Sequence, residues 1–166
     1  PAVPLTKKEL ARLDKEHIAY IGPERLALEG PALMVARAQP SGFLYTAIQL
    51  NDLLFSGVLA RFPTLKFVFA ECGIGWVPFV LEAADHHFLR NKVRDEHPEF
   101  DMLPSDYYRR QVYSNYWFEQ LEDWHIEKVG LGSILFETDF PHPTCLHGSQ
   151  VEAAVESRLA NVGPAT

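Results

Sequence analysis

The chain has 166 residues, of which 47% are hydrophobic and 22% charged, and a formal net charge of −7. These fractions are typical of a globular protein and exclude disordered, collagen-like and low-complexity chains. The acidic balance argues against binding a nucleic-acid backbone. No apolar stretch reaches the roughly 20 residues of a membrane span, and no basic segment followed by an apolar run marks a signal peptide. We therefore expect neither nucleic acid nor membrane as a partner.

The chain contains two cysteines, Cys72 and Cys145. A disulfide framework in a small secreted domain would need more, so we expect two free thiols and a cytoplasmic protein. Cys72 is adjacent to a candidate functional residue, so a reactive thiol is one alternative for it. The residue type itself favours a small buried side chain.

The amino-terminal part gives weaker signals than the rest. A capping box at Thr6 to Glu9 predicts a first helix. Residues 18–40 are interrupted by two Gly-Pro pairs and predict an irregular or helical lead-in, with a short buried helix over residues 33–36. We expect residues 1–40 to lead into residues 41–166, which carry the repeating units of a single partial domain.

From Ser41 onward, apolar periodicity and capping residues define the elements. Ser41 and Ser105 are predicted helix caps, Ser149 and Glu152 form a second capping box, and Gly130 is expected to end a helix. The predicted elements are helices over 41–62, 76–91, 105–110, 119–129 and 149–161, strands over 66–70, 111–118 and 134–136, and a charged loop over 94–104. The short apolar strands are typical of strands buried on both faces.

The alternation of strands and helices predicts an α/β fold with a parallel sheet and helical crossovers. Three strands are few for a complete fold, and a whole eight-stranded barrel needs about 250 residues. We therefore predict the carboxyl-terminal part of a (β/α)8 TIM barrel.

Functional residues in such folds gather at the carboxyl ends of the strands. This rule selects Glu71 after the first strand, and Asp139 with His142 after the last. Asp139 follows an apolar strand and could bind a divalent metal, or accept backbone hydrogen bonds in a local turn. His142 could act in acid–base chemistry or be a polar loop residue. Glu71 could be a general base with a pKa raised by burial, or the partner of a nearby cation.

The histidines show no chelating pair. His86 and His87 are adjacent on a helix and cannot share a face, so we expect one to face inward and the other solvent. The remaining histidines are expected on the surface or in loops: His17, His97, His125 and His147.

Two segments resemble a known family. Arg61 to Phe79 and Ile134 to Pro143 resemble the amidohydrolase-related family, in the branch that contains aminocarboxymuconate-semialdehyde decarboxylase. The resemblance implies a distorted TIM barrel with one divalent metal, usually zinc and alternatively manganese. It makes Asp139 a metal ligand, and it places Glu71 where decarboxylase members carry a proton-handling histidine. His86 matches a position with a supporting role near the metal.

The family's other ligands are a His-x-His pair on the first strand and a histidine on the fifth, and neither pattern occurs here. The chain therefore resembles the carboxyl-terminal half of the enzyme. The first hypothesis is a metal-dependent hydrolase or decarboxylase of small cyclic or aromatic carboxylates. In it Glu71, Asp139 and His142 are catalytic, and Trp76 lines the substrate pocket. The alternative is a non-catalytic half-barrel or interaction module without the metal, which could form a homo-oligomer through bare apolar surface.

Overall fold

A computed structural model of the chain describes residues 23–116, 118–142 and 145–163. The predicted capping box at Thr6 and the histidine at position 17 lie outside the described residues. The chain divides into two compact units, Pro1–Gly42 and Phe43–Thr166.

The first described element is helix α1, Pro23–Phe55. Its backbone leaves helical geometry at Gly30, where φ is 75° and ψ is 163°. The prediction that Ser41 starts a helix is wrong: Ser41 lies within α1, and its hydroxyl donates to the Arg37 carbonyl one turn earlier, at 3.4 Å. The two Gly-Pro pairs predicted an irregular segment before Ser41. Each proline instead stands where a helical segment begins, a position that tolerates proline well. None of the described helices is both long and apolar enough to cross a membrane.

The second unit alternates strands and helices as predicted. After α1 the elements are α2 (Val58–Arg61), β1 (Phe67–Phe69), α3 (Val77–Arg90), α4 (Val93–Glu96), α5 (Pro104–Gln111), β2 (Val112–Tyr116), α6 (Asp123–Val129), a 3₁₀ turn (Leu131–Ser133), β3 (Ile134–Phe136) and α7 (Ser149–Arg158). In the described residues the strands form one sheet in the order β1-β2-β3, and both pairings are parallel.

The three predicted strands and the long helix after the first are confirmed, and Pro78 lies in the first turn of α3. The segment predicted as a charged loop, residues 94–104, begins within the short helix α4. Helix α6 begins at Asp123 rather than at residue 119, because Glu122 and His125 form a capping box there. Gly130 ends this helix with a φ of 95°.

Two predicted serine caps are wrong. Leu103 occupies the cap position of α5, and Ser105 lies in its first turn, where its N–H donates to Asp85 at 2.9 Å. Gly148 precedes α7, whose first residue is Ser149. A serine can satisfy a capping pattern in sequence while a neighbouring residue takes the cap position.

The two faces of the sheet differ in burial. Val112, Ser114 and Tyr116 alternate on the face that packs into the core, against helix α5. On the other face Val68 is 58% exposed and Leu135 is 38% exposed. The prediction that the first strand is buried on both faces is therefore wrong within the described residues, because the helices cover one face. We call the second face, carrying Val68, Tyr113, Asn115, Leu135 and Glu137, the open face.

Candidate functional site

Glu71 and Asp139 follow the carboxyl ends of β1 and β3 in a strained backbone conformation. Their φ angles are 54° and 59°, in the left-handed region. Among the described residues only Lys92 shares a positive φ without being glycine. This conformation costs a non-glycine residue about 1–3 kcal/mol and is found preferentially at functional sites. Two of these three outliers are thus residues that the sequence selected for function.

Three carboxylates converge at these strand ends. Glu71, Glu137 and Asp139 can each present an oxygen so that the three oxygens lie within 4.8 Å of one another. Glu71 is exposed and Glu137 is half-buried, whereas the Asp139 side chain is only 4% exposed. The prediction that Glu71 is a buried carboxylate is therefore wrong. Carboxylates this close repel one another, so the group suits a bound cation.

Glu137 was not selected from the sequence, although a signal was present. Side chains two residues apart along an extended chain point to the same side. Glu137 stands two residues after Leu135 of the open face and two before Asp139. A second carboxylate beside Asp139 at a strand end could therefore have been anticipated.

Glu137 also connects the ends of the strands through hydrogen bonds. Its Oε2 accepts hydrogen bonds from the Glu71 backbone N–H at 2.8 Å and from the Asn115 side-chain amide at 2.9 Å. Asn115 lies on β2, so the contacts join the ends of three neighbouring strands. The other polar atom of that amide, Asn115 Oδ1, is buried and has no hydrogen-bond partner in the described part of the chain.

Asp139 and His142 form a carboxylate–imidazole pair. Asp139 Oδ2 lies 3.0 Å from His142 Nδ1, and the His142 N–H donates to the Asp139 carbonyl at 2.8 Å. The imidazole is 60% exposed. With the proton on Nδ1, the carboxylate orients the ring and leaves Nε2 as the basic nitrogen.

A second carboxylate that the sequence did not select, Glu119, holds the turn after β1. Its Oε1 accepts the N–H of Ile74 at 2.6 Å and of Gly75 at 3.2 Å. Trp76 Nε1 donates to the Cys72 carbonyl at 2.7 Å and closes the same turn. Glu119 was missed because its segment was predicted to be helical, which would have pointed it elsewhere.

Cys72 is fully buried, as its residue type suggested. Burial, and then the negative charge of Glu137, raise the pKa of its thiol to about 12. A thiol with so high a pKa is a poor nucleophile at neutral pH, so the reactive-thiol alternative is not supported.

The remaining predicted positions have varied outcomes. Trp76 is half-buried at the start of α3, beside the turn that carries Glu71. His86 and His87 are both exposed, so the expectation that one faces inward is wrong. His125 was expected on the surface, and this is wrong: it is buried, and its Nδ1 accepts the Glu122 N–H in the capping box.

A cavity of about 630 Å³ lies at the far end of α3 from Trp76. Its lining includes Phe55, Asn91, Glu96, His97 and Phe100. None of the residues selected from the sequence lines this cavity.

The donor chemistry of the carboxylate group fits a divalent cation. Oxygen donors suit Mn²⁺ and Mg²⁺, whereas zinc prefers nitrogen and sulfur with oxygen as a further partner. The group consists of carboxylates, and Glu137 accepts from the Asn115 amide, whose oxygen has no partner among the described residues. The described carboxylates therefore offer oxygen donors to a divalent cation.

Comparison with known proteins agrees with the resemblance seen in the two motifs. The model of the amidohydrolase family matches residues 19–161, which span both motifs and all three strands. A search of curated proteins found no match. Because the family match extends over most of the sequence, the chain belongs to the amidohydrolase family.

Proposed function

We propose that this chain contributes part of the active site of a metal-dependent hydrolase or decarboxylase that acts on small cyclic or aromatic carboxylates. Membership of the amidohydrolase family supports metal-dependent, hydrolase-type chemistry. The observation that carries the proposal is the convergence of Glu71, Glu137 and Asp139 at the carboxyl ends of parallel strands. The chain would belong to the decarboxylase branch of the family and would form the carboxyl-terminal half of a (β/α)8 barrel.

Asp139 and Glu137 would hold the divalent metal, and Glu71 would supply a third oxygen from the exposed rim of the group. When bound, such a metal polarises the substrate and lowers the pKa of a water molecule. Asp139 orients the His142 imidazole, whose exposed edge can accept a proton from the reacting group and return it to the leaving group. Trp76 would form an apolar wall beside the Glu71 turn.

A second candidate function is supported by the open face of the sheet. Val68 and Leu135 expose apolar surface there, on the two outer strands. A chain that uses this face for assembly would be an interaction module, and its partner could be a second copy. The two functions differ in metal uptake, which the module does not require.

Metal binding tests the first proposal. Titration of the purified chain with Mn²⁺ and with Zn²⁺ should show one site for a divalent cation, with Zn²⁺ the tighter binder of the two ions. Asp139→Asn should weaken binding about tenfold or more, since ligand carboxylates contribute directly to affinity. Asp52→Asn is the matched control, because Asp52 is an exposed aspartate on α1.

Equal affinity in Asp139→Asn and in the unaltered chain would remove Asp139 from the ligand set. If the unaltered chain binds neither ion but sediments as a defined oligomer, the interaction module is the better account. Incubation of the metal-loaded chain with a panel of aromatic carboxylates, followed by detection of CO₂ and of hydrolysis products, separates the two reactions.

A further inference from the structure

We propose that Glu119 is a positioning residue, whose carboxylate holds the turn that carries Glu71 and so keeps Glu71 beside Glu137 and Asp139. The inference rests on the proposed function for what Glu71 does there. The positioning itself is a statement about the turn and can be tested without a metal.

The first observation is a carboxylate bound to two consecutive backbone groups. Glu119 Oε1 accepts from Ile74 N–H at 2.6 Å and from Gly75 N–H at 3.2 Å. Both groups lie just before α3, where backbone N–H groups have no partner within the helix. A charged acceptor makes such hydrogen bonds shorter and stronger than neutral ones.

The second observation is that the turn is held at its other end as well. The Glu71 N–H donates to Glu137 Oε2 at 2.8 Å. The turn is therefore fixed by one carboxylate from the segment after β2 and by another from the segment after β3. Between them, Cys72 is fully buried and its carbonyl accepts the Trp76 indole N–H.

The third observation is that the turn and Glu119 are in close contact. Gly73 has a φ of 66°, and a Cβ at this position would collide with Glu119 Oε1. Phe118 also approaches that position, at 3.3 Å. The turn therefore has little room to move while Glu119 is in place.

Glu71 is the residue whose position depends most on the conformation of this turn. Its side chain is exposed, so packing does not hold it, and its φ of 54° is unfavourable for a glutamate. Without Glu119, the turn can relax toward an ordinary backbone conformation and carry Glu71 away from Glu137. A residue that only caps α3 would affect Ile74 and Gly75 alone.

Amide hydrogen exchange followed by NMR separates these two roles in the metal-free chain. In Glu119→Ala, we expect the amides of Ile74, Gly75 and also Glu71 to exchange about tenfold faster or more, since local opening becomes easier. Glu119→Gln retains an oxygen that can accept from both amides, and it should stay within about threefold of the unaltered chain.

Two further variants keep the test decisive. Glu127→Ala makes the same change on an exposed glutamate of α6 and should leave the turn unaffected. If Glu119→Ala does not fold, Glu119→Asp takes its place: it keeps the charge but is too short to reach both amides, so it should release Glu71 as well. Faster exchange at Ile74 and Gly75 with an unchanged rate at Glu71 would overturn the proposal.

Mn²⁺ binding, measured by electron paramagnetic resonance, links the turn to the carboxylate group. We expect Glu119→Ala to bind Mn²⁺ about tenfold more weakly, and Glu119→Gln to bind like the unaltered chain. Equal affinities in the alanine variant and the unaltered chain would overturn the role of Glu119 at the metal group. If the unaltered chain binds no Mn²⁺, the proposed function fails, while the exchange rates still decide whether Glu119 positions Glu71.

Discussion

Gly73 offers a direct measure of how tightly the turn after β1 is built. In Gly73→Ala, the new Cβ meets a backbone at φ 66° and a carboxylate already in place. The backbone term costs about 1 kcal/mol for alanine in this region. The Cβ must also displace Glu119 from the N–H groups of Ile74 and Gly75, which costs about 1–3 kcal/mol. We expect a total loss of about 2–4 kcal/mol in the free energy of unfolding.

Two other glycines separate the contributions. Gly57 has a similar φ of 72°, but a Cβ there would have no heavy atom within 4 Å. Gly57→Ala should therefore show the backbone term alone, about 1 kcal/mol. Gly132 has neither a positive φ nor a close neighbour, and Gly132→Ala should change stability by no more than about 0.5 kcal/mol.

Urea unfolding followed by circular dichroism gives all three values under one set of conditions. For a chain of this size, the Gly73 variant should also melt roughly 5–15 °C lower than the unaltered chain. The difference between Gly73→Ala and Gly57→Ala isolates the contact with Glu119. Equal losses in the two variants would show that Glu119 does not lie against the turn.

Three further predictions concern buried groups. Because the pKa of Cys72 is raised from 9.0 to about 12, its thiolate fraction at pH 8 is about a thousandfold lower than that of an ordinary cysteine. Iodoacetamide should therefore modify Cys145 before Cys72, and equal labelling of the two, measured by mass spectrometry, would contradict this. Gln111→Ala removes the side-chain donor of the Phe62 and Leu65 carbonyls, of which Phe62 keeps the Leu65 N–H, and should cost about 1–3 kcal/mol in urea unfolding; a loss below about 0.5 kcal/mol would show that water replaces the amide. Tyr108→Phe removes the partner of the Ser114 hydroxyl and should cost about 1–2 kcal/mol, and a variant of unchanged stability would refute that bond.

The strands were the most predictable part of the fold. Phe67–Phe69 and Ile134–Phe136 are short apolar runs between turn residues, and this pattern depends on local composition alone. Their burial was not predictable in the same way. An apolar run such as Phe67-Val68-Phe69 is compatible with a sheet that is buried on one face or on both. Which faces are buried depends on helices that are distant in sequence.

Helix starts were less predictable, because several residues compete for a cap position. Ser41, Ser105 and Ser149 are good caps by type, yet each lies inside its helix. In α6 the capping box uses Glu122 with His125, a pairing outside the usual pattern of Ser or Thr with Glu or Gln.

The candidate site was predictable where it depended on strand ends. Glu71 and Asp139 could be selected because the carboxyl ends of parallel strands lie at one edge of the sheet. Glu119 could not, since its contact with Ile74 spans 45 positions and depends on the path of an irregular segment. Its partners are also backbone groups, which leave no mark on the sequence.

The hydrogen bond between Glu71 and Glu137 has a consequence for the order of folding. The two residues are 66 positions apart, and each follows a different outer strand. Contacts with so long a loop form late, because the chain entropy of closing the loop must be overcome before the contact can contribute. The helices can form from local contacts, whereas the carboxylate group requires both β1 and β3 to have paired with β2. A shift of one residue in the pairing of β2 with β3 would turn Asn115 and Glu137 to opposite faces of the sheet. The three carboxylates therefore come together late in folding, and they do so only once the strands have paired in their native register.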